Sequence, residues 1–259
     1  MAVQFDEVEA PLRALTCSTI RSKIILSLLE GPREISELSD QIGSSVTTLL
    51  HSIKPLQKEG TIGPGPLYEL THTGHIKAMA LNELLKVLAV VSQNEQFWQT
   101  HDISGIPPGL LTRIGELVGS LYVHEEQDRP LNCQTFFIEE VSKAKHVWGI
   151  SPIIIPGYVE MVTTLLDGGA SVRLILTRRV ISNINPKTIE YWFTKDFRLH
   201  EISNDVTVAF TITDNMLSLG LCNLDGSYDF MRDLDCFEQR AVEWGMELWE
   251  YYLKKAKKV

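Results

Sequence analysis

The sequence predicts a two-domain protein of mixed α+β and α/β class: a small helical domain ending in a β-hairpin, then a larger α/β domain with a mixed sheet. At about 150 residues per domain, a chain of 259 residues suits two compact domains better than one. Apolar residues follow helical spacing before residue 94, whereas strand and helix signals alternate after it. We therefore expect a first domain at 1–73, a helical linker at 74–95 and a second domain at 96–259.

The composition is typical of a globular protein without a membrane span. Hydrophobic residues make up 44% of the chain and charged residues 22%, which is enough apolar material for buried cores. No charge-free run approaches the ~20 residues that cross a bilayer, and the acidic N-terminus lacks a secretory signal pattern. The four cysteines show no CxxC spacing, which argues against a disulfide framework or a zinc site. We expect a cytoplasmic protein with reduced thiols and no cofactor.

Three short helices are predicted before residue 60. The first ends at "EGP" (30–32) and the second at Gly43, because glycine and proline stop helical spacing. Ser44 or Ser45 can then cap the third helix through a side-chain oxygen. Pro55 is expected to kink or end that helix, since it lacks an amide donor. The positions assigned to the apolar face of the third helix are Val46, Leu49, Leu50 and Ile53.

A hairpin follows the third helix. Short strands at 61–62 and 67–70 are joined by "GPGP", which forces a tight reversal. Three helices and a hairpin resemble the winged helix-turn-helix of prokaryotic transcription regulators, and "YELTHTG" looks like the segment that ends many such wings. The resemblance covers about residues 15–75 and implies contact with double-stranded DNA. The candidate DNA-binding residues are the polar positions of the third helix and its start: Ser44, Ser45, Thr47, Thr48, His51, Ser52 and Lys54.

The net charge of −9 at first argues against a nucleic-acid binder, because Lys and Arg supply most of that affinity. Residues 11–80, however, hold seven Lys and Arg against six Asp and Glu. Ser, Thr and His can contact phosphates and base edges, but none matches the discrimination of a bidentate arginine on guanine. We therefore expect a homodimer that places two recognition helices about 34 Å apart. A winged helix used only for protein docking is the alternative.

The linker helix has an apolar face that is the predicted dimer seam. Its members are Ile76, Ala80, Leu84, Val87, Leu88 and Val91. The same helix contains "HIKAMALN" (75–82), one letter from the HxKxxxxD motif of phospholipase-D-type enzymes, with Asn82 in place of the acid. That motif needs a strand and a loop rather than a helix, so we expect no catalysis. A phospholipase-D-like phosphodiesterase or nuclease is the alternative function.

The second domain is predicted to contain a βαβ unit made of a strand at 146–151, a helix at 157–169 and a strand at 171–177. Antiparallel strands in "VTVAFTIT" and "MLSLGLC" extend the sheet, and a long helix ends the chain. Ligands of open α/β sheets collect beyond the carboxyl ends of parallel strands. The candidate ligand-binding residues are Trp148, Ser151, Thr177, Arg178, Arg198 and Asp214. A cationic rim beside an aromatic ring suggests an anionic or ring-bearing small molecule, with a purely structural role for each residue as the alternative.

A wider resemblance rests on "FWQTHDISGIPPGLLTRIGEL", "HVWGISPIIIPGYVE", "GGASVRLILT", "FTITDNMLSLGLCNLDGSYD" and "AVEWGMELWEYY". These segments resemble the effector domain of archaeal winged-helix regulators named for a methanogenesis and filament regulatory protein. The resemblance implies a transcription factor whose second domain is similar to a phospholipase-D-like or TrmB-type α/β sensor fold without a catalytic motif. We predict a dimeric DNA-binding regulator, not an enzyme, whose DNA binding is modulated by a small-molecule effector.

Overall fold

The computed structural model describes residues 5–124 and 131–259. The chain divides into two compact units, Met1–Lys86 and Val87–Val259. The division falls inside one long helix, within the segment predicted to link the two domains. The two units are described separately below.

The first unit is built from helices around a small apolar core. Its helices are α1 (Phe5–Thr16), α2 (Thr19–Leu29), α3 (Ile35–Ile42), α4 (Val46–Lys58) and the start of α5 (His72–Gln93). Gly43 ends α3 with φ 70° and ψ 40°, a left-handed conformation that glycine adopts without steric cost, so α4 can leave in a new direction. The buried side chains that form the core include Ile24, Ile25, Leu28, Leu38, Leu49, Ile53, Leu56 and Leu81.

Two local expectations for α4 are wrong. The helix runs through Pro55 to Lys58 instead of kinking or ending there. The hydrogen bond that Pro55 cannot donate would go to the carbonyl of His51, an exposed residue, so water can satisfy that carbonyl. Val46 and Leu50 are 41% and 37% exposed, because Leu49 and Ile53 occupy the core-facing line of the helix together with Leu56.

The predicted hairpin exists as single bridges rather than as two strands. Ile62 pairs with Leu70, and the second limb also pairs with the segment before α3 through Tyr68 and Arg33. The amide of Gly63 donates to the carbonyl of Glu69 at 2.9 Å, which closes the base of the loop. The tip, residues 64–67, is exposed.

The second unit contains an eight-stranded mixed sheet in the order β1-β7-β6-β5-β2-β3-β4-β8. The strands are β1 (Leu121–His124), β2 (His146–Ser151), β3 (Ser171–Thr177), β4 (Phe197–Ile202), β5 (Val208–Ile212), β6 (Leu217–Leu221), β7 (Arg232–Cys236) and β8 (Lys257–Lys258). Strands β2, β3 and β4 are parallel to one another, and the other pairings are antiparallel. The predicted fold class, including the mixed sheet, is confirmed.

Helices cover both faces of this sheet. They are α6 (Glu95–Thr100), α7 (Pro108–Leu111), α8 (Asn132–Val141), α9 (Tyr158–Asp167), α10 (Arg178–Ser182), α11 (Pro186–Trp192) and α12 (Gln239–Leu253). We call one surface of the sheet the α12 face, since Ile150, Ile175 and Phe210 pack there in one cluster with α12. We call the other the α9 face, where Val147, Leu174 and α9 share a second cluster. Trp192 of α11 is fully buried in that second cluster.

No helix in the described part of the chain combines the length and the apolar character that crossing a bilayer requires. Within the same residues, no group of three or more His, Cys, Asp and Glu side chains is placed to hold a metal ion.

Candidate nucleic-acid interface and ligand pocket

The start of α4 is held by the side chains that precede it. The hydroxyl oxygen of Ser45 accepts from the amide of Thr48 at 3.3 Å and lies 2.9 Å from the Thr48 hydroxyl. The hydroxyl of Ser39 donates to the carbonyl of Ser44 at 2.7 Å, which ties the end of α3 to this turn. Three of the predicted DNA-binding residues, Ser44, Ser45 and Thr48, therefore also build the helix start.

The exposed residues of α4 form a stripe along the helix. At 100° per residue, Thr47, His51, Lys54 and Lys58 fall on one side, and all four are exposed. We call these four residues the α4 stripe. Lys58 was not among the predicted residues, although its spacing of four from Lys54 was the available signal. Ser52 lies off this line and is half-buried.

The α4 stripe carries two lysines, with Glu59 following directly at the end of the helix. The helix from Val46 to Lys58 contains no Asp or Glu, and none of the ion pairs among the described residues involves Lys54 or Lys58. The hairpin tip "PGPL" is uncharged. An exposed line of Thr, His and Lys can contact a phosphate backbone and polar base edges.

The "HIKAMALN" segment lies on α5, as the sequence predicted. His75 and Lys77 are two residues apart, so their side chains leave the helix about 200° apart and do not converge on one substrate. The ammonium of Lys77 instead donates to the Thr61 hydroxyl at 3.2 Å. The segment therefore lacks the geometry of a phosphodiesterase site.

The structure places three of the six predicted ligand residues at the carboxyl edge of the parallel strands. Ser151 ends β2, and its hydroxyl donates to the carbonyl of Ile153 at 2.6 Å. Thr177 ends β3, is buried, and caps α10 by accepting from the amide of Val180. Arg178 follows it and forms an exposed ion pair with Glu201 at 2.7 Å.

The other three do not join this edge, which corrects the expectation of one site. Strand β5 runs antiparallel to β2, so the β5–β6 turn returns to the start of β2. Asp214 in that turn accepts from the amides of Lys145 and His146, at 2.7 and 3.1 Å, and lies 2.6 Å from the His146 ring. Arg198 pairs in register with Arg173 near the start of β4. Trp148 stacks on the His146 ring and packs against the core of the α12 face.

A cavity that the sequence did not predict opens on the α9 face, over β5, β6 and β7. Its volume is about 560 Å³, including the part open to solvent. Small side chains leave the space: Ala209 and Thr211 on β5 face Gly220 and Ser218 on β6, each pair in register. Ser151 is the one predicted ligand residue among the lining residues. Phe137 of α8, Tyr158 of α9, Tyr228 and Phe230 supply aromatic walls.

Carboxylates lie along one side of this cavity. Asp233 lines it, and Asp235 follows on the same face of β7, in register with Ser218. Asp235 is 2% exposed, and its Oδ1 has no hydrogen-bond partner among the described residues. Burial raises the pKa of Asp235 to about 6, a rise that the Ser218 hydroxyl opposes and the Glu140 charge increases.

The same carboxylates affect the pKa of the Tyr228 phenol. Burial raises the pKa of Tyr228 well above its ordinary value, and the charge of Asp233 adds to the rise, followed by other groups that include Asp229 and Asp235. The Tyr228 hydroxyl approaches so closely that a β-carbon on Gly220 would lie 2.0 Å from it and 2.7 Å from Asp233 Oδ1. Glycine is therefore required at position 220 for this arrangement.

Comparison with known families gives two consecutive matches along the chain. Residues 9–89 match the N-terminal domain of Methanogenesis regulatory protein FilR1, and residues 130–255 match the middle domain of the same protein. The chain belongs to the FilR1 family. The α4 stripe lies in the FilR1 N-terminal domain, and all residues that line the cavity lie in the middle domain.

One relative in the FilR1 family is Methanogenesis regulatory protein FilR1 of Methanothrix harundinacea (strain 6Ac). It is 30% identical over 257 residues, which cover 96% of this chain and 58% of that protein. The chain thus spans less than two thirds of the length of this relative.

Two solved structures resemble the chain at low identity. TrmBL2, described as an archaeal chromatin protein with a novel mode of DNA binding, aligns with a TM-score of 0.44 and 14% identity over 96% of this chain and 98% of its own. NucT from Helicobacter pylori aligns with a TM-score of 0.42 and 12% identity over 54% of this chain and 98% of its own. Both TM-scores lie below 0.5, so neither likeness supports a functional assignment.

Proposed function

We propose that this chain is a transcriptional regulator that binds double-stranded DNA as a homodimer, through α4 and the hairpin, under the control of a small-molecule effector bound by the second unit. The observation that carries the proposal is the α4 stripe, an exposed line of Thr47, His51, Lys54 and Lys58 on a helix free of acidic residues. Membership of a family of regulatory proteins supports it. The six predicted ligand residues remain candidates for effector contacts. Ser151, Thr177 and Arg178 lie at the carboxyl edge of the parallel strands, and Trp148, Arg198 and Asp214 lie away from that edge.

The dimer follows from the small number of cations on α4. Two lysines per copy neutralise few phosphates, so one copy binds weakly and two linked copies combine their affinities. An apolar line on α5 supports the pairing of two chains. Its exposed members are Ile76, Ala80, Leu84, Leu88 and Val91. A continuous exposed apolar line on one helix is typical of an interaction surface, whereas scattered apolar residues are not.

The test is a DNA-binding measurement on a variant of the α4 stripe. Purified protein first selects fragments from genomic DNA of the source organism, and the winning fragment is then titrated with wild type and with the double variant Thr47→Glu plus His51→Glu. Both positions are exposed and outside the helix cap, so folding is preserved. We expect at least a tenfold loss of affinity, because two carboxylates then face the phosphates.

Gln93→Glu plus Gln96→Glu is the matched control. It adds the same two negative charges at exposed helical positions of the second unit and is expected to retain nearly wild-type affinity. If both variants lost the same DNA affinity, the loss would be explained by the added negative charge alone, and a role for α4 would be contradicted. Failure of a folded wild-type dimer to enrich any fragment at low salt would favour a protein-docking winged helix.

A further inference from the structure

The segment after α12 is rich in lysine. Residues 254–259 contain four lysines and no acidic side chain, and all four lysines are exposed. The lysines that form ion pairs among the described residues are Lys86, Lys143 and Lys195, so none of these four is offset in that way. We call the set the β8 lysines: Lys254, Lys255, Lys257 and Lys258.

The sheet holds two of the β8 lysines in place. Lys257 and Lys258 lie opposite Glu201 and His200 of β4 in an antiparallel register. The next amide, that of Val259, donates to a carbonyl of β4 at 3.1 Å. Cations on a paired strand lose less conformational freedom on binding than cations on a free segment, so more of their electrostatic attraction is available for affinity.

The strands beside β8 add to the positive charge. Arg198 on β4 and Arg179, just after β3, are exposed, and neither forms an ion pair among the described residues. Burial lowers the pKa of His200, and the charges of Lys258 and Arg198 lower it further. These cations therefore lie close enough to one another to act together.

Acidic groups at this edge of the sheet are outnumbered. The segments 171–179, 196–205 and 250–259 hold eight Lys and Arg against four Asp and Glu. Two of the four acids already pair with arginines of the same segments, each at 2.7 Å. The edge is thus positive in a chain whose net charge is −9.

The arrangement of the cations suits an extended anion better than a small one. Successive side chains of a strand point to opposite faces of the sheet, so Lys257 and Lys258 do not converge on one small ligand. DNA carries a phosphate charge for each ~1.7 Å of its axis and can meet cations that are spread along an edge. Because α4 supplies only two lysines, further phosphate contacts would raise the affinity of each copy.

We propose that the β8 lysines form a second DNA-contact surface, on the second unit, that binds the phosphate backbone without reading the base sequence. This inference rests on the proposed function and deepens it, because it adds a contact outside α4 and the hairpin. Phosphate contacts carry no sequence information directly, so the surface contributes the same affinity on any duplex of equal length.

The experiment measures binding of the full chain to a duplex of unrelated sequence at a series of salt concentrations. Lys257→Gln plus Lys258→Gln removes two charges and keeps the backbone pairing of β8 with β4. We expect the slope of log affinity against log salt to become shallower by about 1 to 2, since each neutralised phosphate contributes about 0.9. Affinity at low salt should fall about threefold or more.

Lys187→Gln plus Arg240→Gln is the matched control. It removes two exposed cations of the second unit, and Arg240 lies near the start of α12, about 20 Å along the helix axis from Lys254. This variant should keep nearly the wild-type slope. Lys257→Arg plus Lys258→Arg retains both charges and should keep it too, which separates loss of charge from disturbance of β8.

Two results would overturn the inference. The first is an unchanged slope in Lys257→Gln plus Lys258→Gln, which would leave these lysines as a guard against pairing of the sheet edge with other chains. The second is an equal fall in Lys187→Gln plus Arg240→Gln, because net charge alone would then explain the loss.

The α4 variant Thr47→Glu plus His51→Glu separates this inference from the proposed function. If only the α4 variant lost affinity, DNA binding through α4 would be supported and the β8 surface overturned. If only the variant of Lys257 and Lys258 lost affinity, the β8 surface would be supported and DNA binding through α4 contradicted. If the folded wild type bound no duplex at low salt, both would be refuted.

Discussion

Asp235 illustrates how one residue is tuned by its neighbours in the second unit. Its carboxyl group is buried beside Ser218, and Glu140 of α8 adds a second negative charge from the helix above. A carboxylate in that place loses its hydration without gaining a cation, so the protonated form is favoured and the pKa rises to about 6. The sequence "RDLDC" shows an aspartate in a strand but not this environment.

Asp235→Asn should therefore change the pH dependence of stability. The pKa of Asp235 is higher in the folded chain, about 6, than its ordinary value of 3.8, so its stabilising effect is present below pH 4 and is lost as pH rises through 6. At pH 7.5 the ionised group costs about 3 kcal/mol, which the neutral amide avoids. We expect the free energy of unfolding of the variant, relative to wild type, to rise by about that amount between pH 4 and 7.5 in urea titrations.

Asp225→Asn is the control for the direction in which the free energy of unfolding, relative to wild type, changes with pH. Hydrogen bonds from Ser227 lower the pKa of the exposed Asp225, so any change should run in the opposite direction. A difference between Asp235→Asn and wild type that stays constant with pH would contradict the assignment.

At the scale of elements, α4 shows local capping and tertiary packing acting on one helix. The Ser45 hydroxyl accepts a hydrogen bond from the amide of Thr48 in the first turn, while Leu49 and Ile53 pack its inner face against the core. The α4 stripe on the outer face is exposed, and Val46 and Leu50 are exposed as well because Leu49, Ile53 and Leu56 occupy the side of the helix that faces the core. Helix start and outer polar surface were predicted from the sequence, whereas the assignment of Val46 and Leu50 to the apolar face was not correct.

Ser45→Ala should loosen the first turn of α4. The variant loses the acceptor for the Thr48 amide, which costs about 1 kcal/mol at a helix N-terminus. Hydrogen exchange with mass spectrometry should show faster exchange in peptides that cover residues 46–50. Ser44→Ala is the neighbouring control, and equal exchange in the two variants would show that the cap is not at Ser45.

At the scale of the whole molecule, the proposed function requires two copies of the chain. The exposed apolar line on α5 is the described surface that suits such pairing, and Leu84 and Leu88, at 43% and 50% exposed, lie one turn apart on it. Ordinary exposure of single leucines has little cost, but a line of them over several helical turns favours association.

Leu84→Glu plus Leu88→Glu should convert a dimer into a monomer. Carboxylates placed in an apolar interface lose hydration without a partner, so association is disfavoured. Light scattering after gel filtration should show half the wild-type mass, and the slope of log affinity for DNA against log salt should fall by about half. An unchanged mass, with Gln93→Glu plus Gln96→Glu as the charge control, would place the dimer contact elsewhere.

Local patterns in the sequence determined α2, α3 and α4 of the first unit, the βαβ unit from β2 to β3 and the antiparallel pairing of β5 with β6, because each depends on neighbours within a few tens of residues. Helix α1 (Phe5–Thr16) was not predicted. The tertiary structure alone decided which side chains meet. The strand order places β5 antiparallel to β2, so Asp214 lies at the start of β2 and Ser151 at its end. The register between β5, β6 and β7 aligns Thr211, Ser218 and Asp235 across three strands. A cavity is formed by residues distant in sequence, so its shape and charge depend on strand order and register, which periodicity within single strands does not encode.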